Sequence, residues 1–245
     1  MPENVLWFEE IGMADVPQVG GKNASLGELI QTLKTRGVRV PDGFATTAVA
    51  YRTFIAANGI EPEMRSRILA YRAGEATLRA TGEAIRELFL ASDFPPDIAE
   101  SIRSHYRELG QRAGLERLSV AVRSSATAED LPDASFAGQQ ETFLNVAGDR
   151  ELMDACRRCY ASLFTDRAIS YREVKGFDHL EVALSIGVQR MVRSDVGASG
   201  VMFSIDTDSG FPPRSRHQRR LGTGRDSGPG HHQPGQVPRV QAAVG

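Results

Sequence analysis

The sequence predicts a protein of the α+β class. Short apolar runs with the length and composition of strands lie near the N-terminus, in the middle and in the last third of the chain. Residues 60–115 instead have a mainly helical pattern. In the last third, Leu180–Val192 is followed, after a short polar connection, by Gly200–Ile205. We expect Val182–Val192 and Gly200–Ile205 to pair as antiparallel strands.

Composition excludes several classes of partner. The 245 residues carry a formal net charge of −2, which gives no indication of binding to nucleic acid or to an anionic membrane. No apolar run approaches the roughly 20 residues that a membrane-spanning helix needs, and the N-terminus lacks a basic-then-apolar signal pattern. With two cysteines and no export signal, we expect a cytoplasmic protein.

The N-terminal region predicts a strand followed by a helix. Residues 4–8 have strand character, and the segment Gly20–Leu29 leads into a helix that ends at Gly37. Its expected apolar face carries Leu26, Leu29, Ile30 and Leu33. Two glycines and Lys22 at a helix start favour an anion site, although the Walker A pattern is absent. A surface lysine beside a glycine turn is the alternative interpretation.

The next hundred residues predict a mainly helical scaffold. Thr46 or Thr47 is expected to cap a helix that ends near Asn58. The segment Asp93–Asp97 contains two prolines, so it interrupts the helical block of residues 60–115 and starts a new helix there.

The segment Ser119–Val146 has the features of a phosphate-binding hairpin. A short strand leads to Arg123 and a run of hydroxyl side chains, followed by a turn with Gly138 and a returning strand that starts at Thr142. Arginine offers planar, permanently charged donors to phosphate oxygens, and glycine lets an anion approach the backbone. An ordinary hairpin with a solvated arginine is equally compatible with these residues.

Two further patterns concern possible ligands. Cys156 and Cys159 form a C-x-x-C on a predicted helix that starts at Asp149, but no second cysteine pair or suitably spaced histidine completes a zinc site. Two half-buried thiols are therefore favoured. Gln189, near the end of its predicted strand, could offer an amide to a planar base, or it could be the polar end of a core strand.

Several ordered blocks resemble the N-terminal part of the phosphoenolpyruvate synthase (pyruvate, water dikinase) family. They include Gly20–Glu28, Val40–Thr47, Ala121–Asp130, Asp133–Thr142 and Gly187–Asp195. The resemblance covers residues 4–211, and pyruvate phosphate dikinase and rifampicin phosphotransferase share its general plan. It implies that residues 1–211 form an incomplete ATP-grasp-type nucleotide-binding domain of the pyruvate phosphate dikinase N-terminal type.

The resemblance also implies roles for individual residues. Lys22 and Arg123 would contact the ATP phosphates, Gly138 and Thr142 would lie in the loop over them, and Gln189 would lie beside the adenine.

In this family, ATP, pyruvate and water are converted to AMP, phosphoenolpyruvate and phosphate through a mobile phosphohistidine. That histidine is absent from this chain, so no catalytic or metal-ligating residue is assigned. Mg²⁺ is expected to accompany ATP, with its protein ligands further downstream. Pyruvate would bind only to the full-length enzyme, in which the family resemblance implies a homodimer. The alternatives are a relative of rifampicin phosphotransferase or pyruvate phosphate dikinase, and a decayed, non-catalytic nucleotide-binding fragment.

The resemblance ends after Phe211. Residues 212–245 contain six arginines, five prolines and six glycines but one acidic residue and no aromatic residue, which predicts a disordered basic tail. Codons for His217–Arg225 read one base later can encode Ile-Asn-Ala-Ala-Trp-Gly-Leu-Gly-Glu, which resembles the family's continuation. We therefore hypothesise a frameshift near codons 211–213, so that the chain is truncated relative to the family and inactive alone.

Overall fold

The computed structural model describes residues 3–127, 130–131, 134–135, 141–193, 199–203 and 216–220. The chain divides into two units, Met1–Met191 and Val192–Gly245. This division lies before the boundary after residue 211 that the family resemblance predicts. The first unit combines helices with an antiparallel sheet, so the α+β prediction is confirmed.

The strands of the described residues are short. They are β1 (Val5–Trp7), β2 (Gly43–Thr46), β3 (Val120–Ala126), β4 (Asp130–Leu131), β5 (Ala134–Ser135), β6 (Thr142–Val146), β7 (Leu184–Arg190), β8 (Ser199–Phe203) and β9 (Arg216–Arg220). Five of them form one sheet in the order β1-β2-β7-β3-β6, with every neighbouring pair antiparallel. The β4·β5 and β8·β9 pairs form two further small sheets.

The predicted pairing of Val182–Val192 with Gly200–Ile205 is wrong. β7 lies between β2 and β3 and uses both of its edges for them, so neither edge is left for β8. β8 pairs instead with β9. β9 is a strand within residues 212–245, where the sequence predicts disorder. The rest of that tail lies outside the described residues.

Helices occur where the sequence pattern predicts them, and α7 (Asp166–Lys175) is a further helix that the pattern did not predict. They are α1 (Val16–Lys34), α2 (Ala48–Asn58), α3 (Glu61–Arg72), α4 (Leu78–Ala91), α5 (Pro96–Ala113), α6 (Asp149–Ala161) and α7 (Asp166–Lys175). Thr47 caps α2, because its Oγ1 accepts a hydrogen bond from the Ala50 N–H at 3.3 Å. α5 starts at the second proline of the predicted break and ends at Gly114, which has a left-handed conformation.

The sheet buries both of its faces. On one face, Phe44, Val122 and Val188 join a large core that continues into the helices after β2. On the other face, Ala45 packs with Val19 and other apolar residues in a smaller cluster beneath α1. Because neighbouring residues of a strand point to opposite faces, Phe44 and Ala45 contribute to different cores. The face beneath α1 carries the candidate site.

Candidate functional site

A cavity of about 400 Å³ lies between α1 and the edge of the sheet formed by β3 and β6. The side of α1 contributes polar and apolar residues, and the two strands contribute the rest. The lining residues are Lys22, Asn23, Ser25, Leu26, Leu29, Arg123, Ser124 and Thr142. Among these described residues are two cationic side chains and no carboxylate. The cavity therefore combines positive charge with an apolar wall, which suits an anionic ligand that has an apolar part.

The kink of α1 at Gly20 positions the lysine. Gly20 has φ 71° and ψ 163°, so the helix is interrupted there and starts again before Lys22. A Cβ on Gly20 would lie 2.4 Å from the Ser125 Oγ, so glycine lets α1 contact β3 directly. The predicted start of the helix at the glycine pair is thus its second start, because the first helical turn begins at Val16.

The structure brings three of the predicted residues together. Arg123 lies opposite Thr142 in the β3·β6 register, and both are exposed. Lys22 approaches them from α1, and its Nζ donates a hydrogen bond to the Ser124 carbonyl at 3.4 Å. Within the part of the chain that the structure describes, no carboxylate forms an ion pair with Arg123. Its guanidinium is therefore available to an anion in the cavity.

The predicted apolar face of α1 is partly wrong. Leu29 is 45% exposed and lines the cavity instead of the core. The face that packs on the protein consists mainly of glycine, alanine and Asn23, together with Val19 and Ile30, and it includes Gly27. A Cβ on Gly27 would lie 2.1 Å from the Ile11 carbonyl oxygen, so this face approaches backbone more closely than leucines allow. The spacing of the leucines in the sequence does not predict this close approach of α1 to backbone.

A buried polar network that the sequence analysis missed lies directly behind the cavity. Asn23 is 2% exposed, and its Nδ2 donates to the Ser185 Oγ at 2.8 Å. The Ser185 Oγ donates in turn to the Thr46 carbonyl at 2.5 Å. The backbone N–H of Asn23 donates to the Ser125 Oγ at 3.3 Å. The sequence signal that could have revealed this network is a polar residue next to the lysine, on a helix face that is buried.

Gln189 is not among the residues that line the cavity. It is 9% exposed, and its Nε2 donates to the Pro41 carbonyl at 3.1 Å. It lies on the same sheet face as Gly187, about 7 Å further along β7, and Gly187 is the cross-strand partner of Arg123. The structure therefore places Gln189 on the same face as the cavity but on the neighbouring strand β7, opposite Ala121 and not opposite Arg123.

The described residues bear on only a few of the remaining ligand predictions. Gly138 lies outside the described residues. Within the described ranges, no group of three or more His, Cys, Asp or Glu side chains could hold a metal ion, so we derive no step that involves Mg²⁺. No helix among the described residues is both long and apolar enough to cross a membrane.

The cysteine pair has no features of a redox or metal site. Cys156 and Cys159 are free thiols and fully buried on α6. Burial raises the pKa of Cys156 to about 12 and raises the pKa of Cys159 as well. Both thiols are thus kept protonated, which confirms their interpretation as packing residues and shows that they are fully buried instead of half-buried.

Comparison with known proteins agrees with this geometry. Residues 16–236 match the family described as pyruvate phosphate dikinase, AMP/ATP-binding domain. The phosphoenolpyruvate synthase of Synechocystis sp. is 55% identical over 212 residues, which cover 84% of this chain and 26% of that protein. Those of Escherichia coli and Aquifex aeolicus are 54% and 51% identical over 208 residues each, covering 84% of this chain and 26% and 24% of the relatives.

The chain thus spans about a quarter of the length of the curated relatives that it matches. The matched family covers most of the chain, including α1, β3 and β6, which line the cavity. The chain therefore belongs to the pyruvate phosphate dikinase AMP/ATP-binding domain family.

Proposed function

We propose that this chain is the nucleotide-binding part of a phosphoenolpyruvate synthase and binds ATP in the cavity between α1 and β3. The observation that carries the proposal is the convergence of Lys22 and Arg123, from distant parts of the chain, on one cavity without a carboxylate among its described lining residues. A triphosphate needs convergent positive charge, and its base and sugar suit an apolar wall such as that of Leu26 and Leu29.

The proposed roles follow the chemistry of each side chain. The planar fork of Arg123 binds two phosphate oxygens, and Lys22 adds a compact positive charge. The Thr142 hydroxyl, directly across the strand pair from Arg123, donates to a phosphate oxygen. We also propose that Gly138 belongs to the loop over the phosphates. Gln189 offers its amide to the adenine. That role requires its hydrogen bond to the Pro41 carbonyl to rearrange or to be shared.

The overall reaction is part of the same proposal. The full-length enzyme would convert ATP, pyruvate and water to AMP, phosphoenolpyruvate and phosphate. The phosphohistidine, the Mg²⁺ ligands and the pyruvate site would lie outside the quarter of the relatives that this chain matches. A homodimer of that enzyme and a cytoplasmic location also remain proposals. The free, buried cysteines suit a reducing compartment.

Equilibrium binding of ATP tests the proposed site. We expect Arg123→Ala to weaken binding about tenfold or more, because a hydrogen bond to a charged group contributes about 1.5–3 kcal/mol. Arg123→Lys should restore only part of the affinity, since the charge remains but the fork is lost. Arg65→Ala is the matched control, because Arg65 is 55% exposed and paired with Glu61 on α3. Equal ATP affinity of the wild type and Arg123→Ala would remove Arg123 from the site.

The frameshift hypothesis explains why this chain is expected to be inactive alone. Its support is the change in composition after Phe211. Resequencing the locus tests it directly, and a continuous frame through codons 211–213 would reject it. A coupled assay of AMP and phosphoenolpyruvate should show turnover only after the frame is repaired. Turnover by this chain alone would contradict the truncation, and phosphorylation of rifampicin in place of pyruvate would favour the alternative enzyme.

A further inference from the structure

We infer that Asn23 is a positioning residue for the phosphate site: its buried side chain fixes where α1 holds Lys22 relative to Arg123. This inference rests on the proposed function, because it concerns the same nucleotide site. Asn23 directly follows Lys22 in the chain, so any movement of its backbone moves the lysine. Its own side chain is 2% exposed and thus offers little surface to a ligand.

The hydrogen-bond directions around Asn23 leave one consistent arrangement. The Thr46 carbonyl can only accept, so the single proton of the Ser185 hydroxyl is committed to it at 2.5 Å. The Ser185 Oγ must therefore accept from Asn23, and the group 2.8 Å away must be the amide NH₂. Asn23 thus has a specific donor role, which an acceptor-only side chain of the same shape cannot fill.

The backbone around Asn23 is built to admit it. A Cβ on Gly187 would lie 2.3 Å from the Asn23 Oδ1, so the absence of a side chain at Gly187 makes room for the amide. Gly187 is the cross-strand partner of Arg123, and Ser185 is the partner of Ser125. The side chain of Asn23 therefore attaches α1 to β7 directly beside the strand positions that carry the arginine.

A second attachment joins Asn23 to the arginine's own strand. Its backbone N–H donates to the Ser125 Oγ at 3.3 Å, two residues along β3 from Arg123. Gly20 also packs on Ser125. This contact and the hydrogen bonds of Asn23 together set the distance between Lys22 and Arg123. Because a buried polar group that loses its partner is strongly unfavourable, this arrangement resists sliding of α1 along the sheet.

A double-mutant cycle on ATP affinity separates positioning from general stability. We expect Asn23→Ala to weaken ATP binding about tenfold, which is the size of a charged hydrogen bond lost by misplacing Lys22. In a Lys22→Ala background, the same change should weaken binding further by less than about twofold, because there is no lysine left to misplace.

Asn58→Ala is the control. The Asn58 Nδ2 also donates to two carbonyls, those of Phe54 and Asp93, at 2.8 and 2.9 Å, but on α2. It should lower stability and leave ATP affinity unchanged.

Asn23→Asp provides a second test with a pH signature. The neutral acid can donate to the Ser185 Oγ, whereas the ionised carboxylate cannot, and burial raises the pKa of such a carboxyl. The affinity of Asn23→Asp relative to that of the wild type at the same pH should therefore rise towards one as the pH falls through the pKa of that carboxyl. A ratio that stays constant while the carboxyl titrates would overturn the donor role.

The outcomes separate the two proposals. Absence of ATP binding by the wild-type chain would overturn the proposed function and this inference together. Wild-type binding that Asn23→Ala leaves unchanged, or equal losses in the wild-type and Lys22→Ala backgrounds, would overturn this inference alone. A loss confined to the lysine-containing background, with Asn58→Ala binding normally, supports it.

Discussion

Replacing Gly20 by alanine should destabilise the protein more than the same change at another left-handed glycine. At φ 71° and ψ 163°, Gly20 occupies a backbone region that is essentially restricted to glycine, which adds about 1–3 kcal/mol of strain for alanine. The new Cβ would lie 2.4 Å from the Ser125 Oγ and 2.5 Å from its carbonyl oxygen. Forcing atoms into such a packed contact adds about 1–3 kcal/mol. The expected loss is thus about 2–6 kcal/mol.

Gly59 provides the matched control for this change. It has φ 59° at the end of α2, and no atom lies within 4 Å of a Cβ built there. Gly59→Ala should therefore lose only the left-handed strain of about 1–2 kcal/mol. The gain from restricting the unfolded chain is common to both variants, so their difference isolates the contact between α1 and β3.

Urea unfolding measures the two losses. Trp7 is the single tryptophan of the chain and is 8% exposed in β1, so its fluorescence reports unfolding of the sheet. We expect a lower midpoint for Gly20→Ala than for Gly59→Ala at similar slopes. Of the two variants, only Gly20→Ala should also weaken ATP binding, because the displaced helix α1 carries Lys22 with it. Equal destabilisation of the two variants would refute the close packing of Gly20 on Ser125.

Two further predictions concern buried titratable groups. The imidazole of His179 accepts from the Arg172 Nε at 2.9 Å and contacts Glu173, and burial lowers the pKa of His179. The unfolded state therefore binds the proton more readily, so the free energy of unfolding should fall as the pH drops below about 6.5, and His179→Gln should flatten that decline in urea titrations. The thiols of Cys156 and Cys159 should not react with a thiol reagent at pH 8 until urea unfolds the chain, and rapid labelling of the native protein would contradict their burial.

The elements that the sequence predicted well depend on local signals. The α2 cap at Thr47 and the start of α5 in the segment with two prolines each follow from the chemistry of one or two neighbouring residues. The strand bounds of β6 were likewise predicted from their composition. Such signals depend on short-range geometry, so they need no knowledge of the fold.

The features that the sequence did not reveal depend on distant residues. β7 inserts between β2 and β3, and nothing within its own residues specifies those partners. His105 on α5 packs against Trp7 of β1 with ring centroids 4.9 Å apart, a contact between residues about a hundred positions apart in the chain. The Asn23 network joins α1 to three strands that follow it in the chain, so its partners could not be identified from periodicity.

The candidate site was predicted in part. Lys22, Arg123 and Thr142 lie together because α1 packs directly on β3 and because Arg123 is the cross-strand partner of Thr142. Gln189 was expected to contact the same ligand, but it lies on the neighbouring strand β7, and its amide donates to the Pro41 carbonyl. The sequence motifs identified the charged residues Lys22 and Arg123. The distance between these two side chains depends instead on the packing of Gly20 and Asn23.

A structure of the chain with a non-hydrolysable ATP analogue tests the central claim most directly. We predict phosphate oxygens within roughly 2.7–2.9 Å of the Arg123 guanidinium and of the Lys22 Nζ, inside the cavity that α1 forms with β3 and β6. Phosphates bound elsewhere, with Lys22 and Arg123 free of contact, would contradict the account.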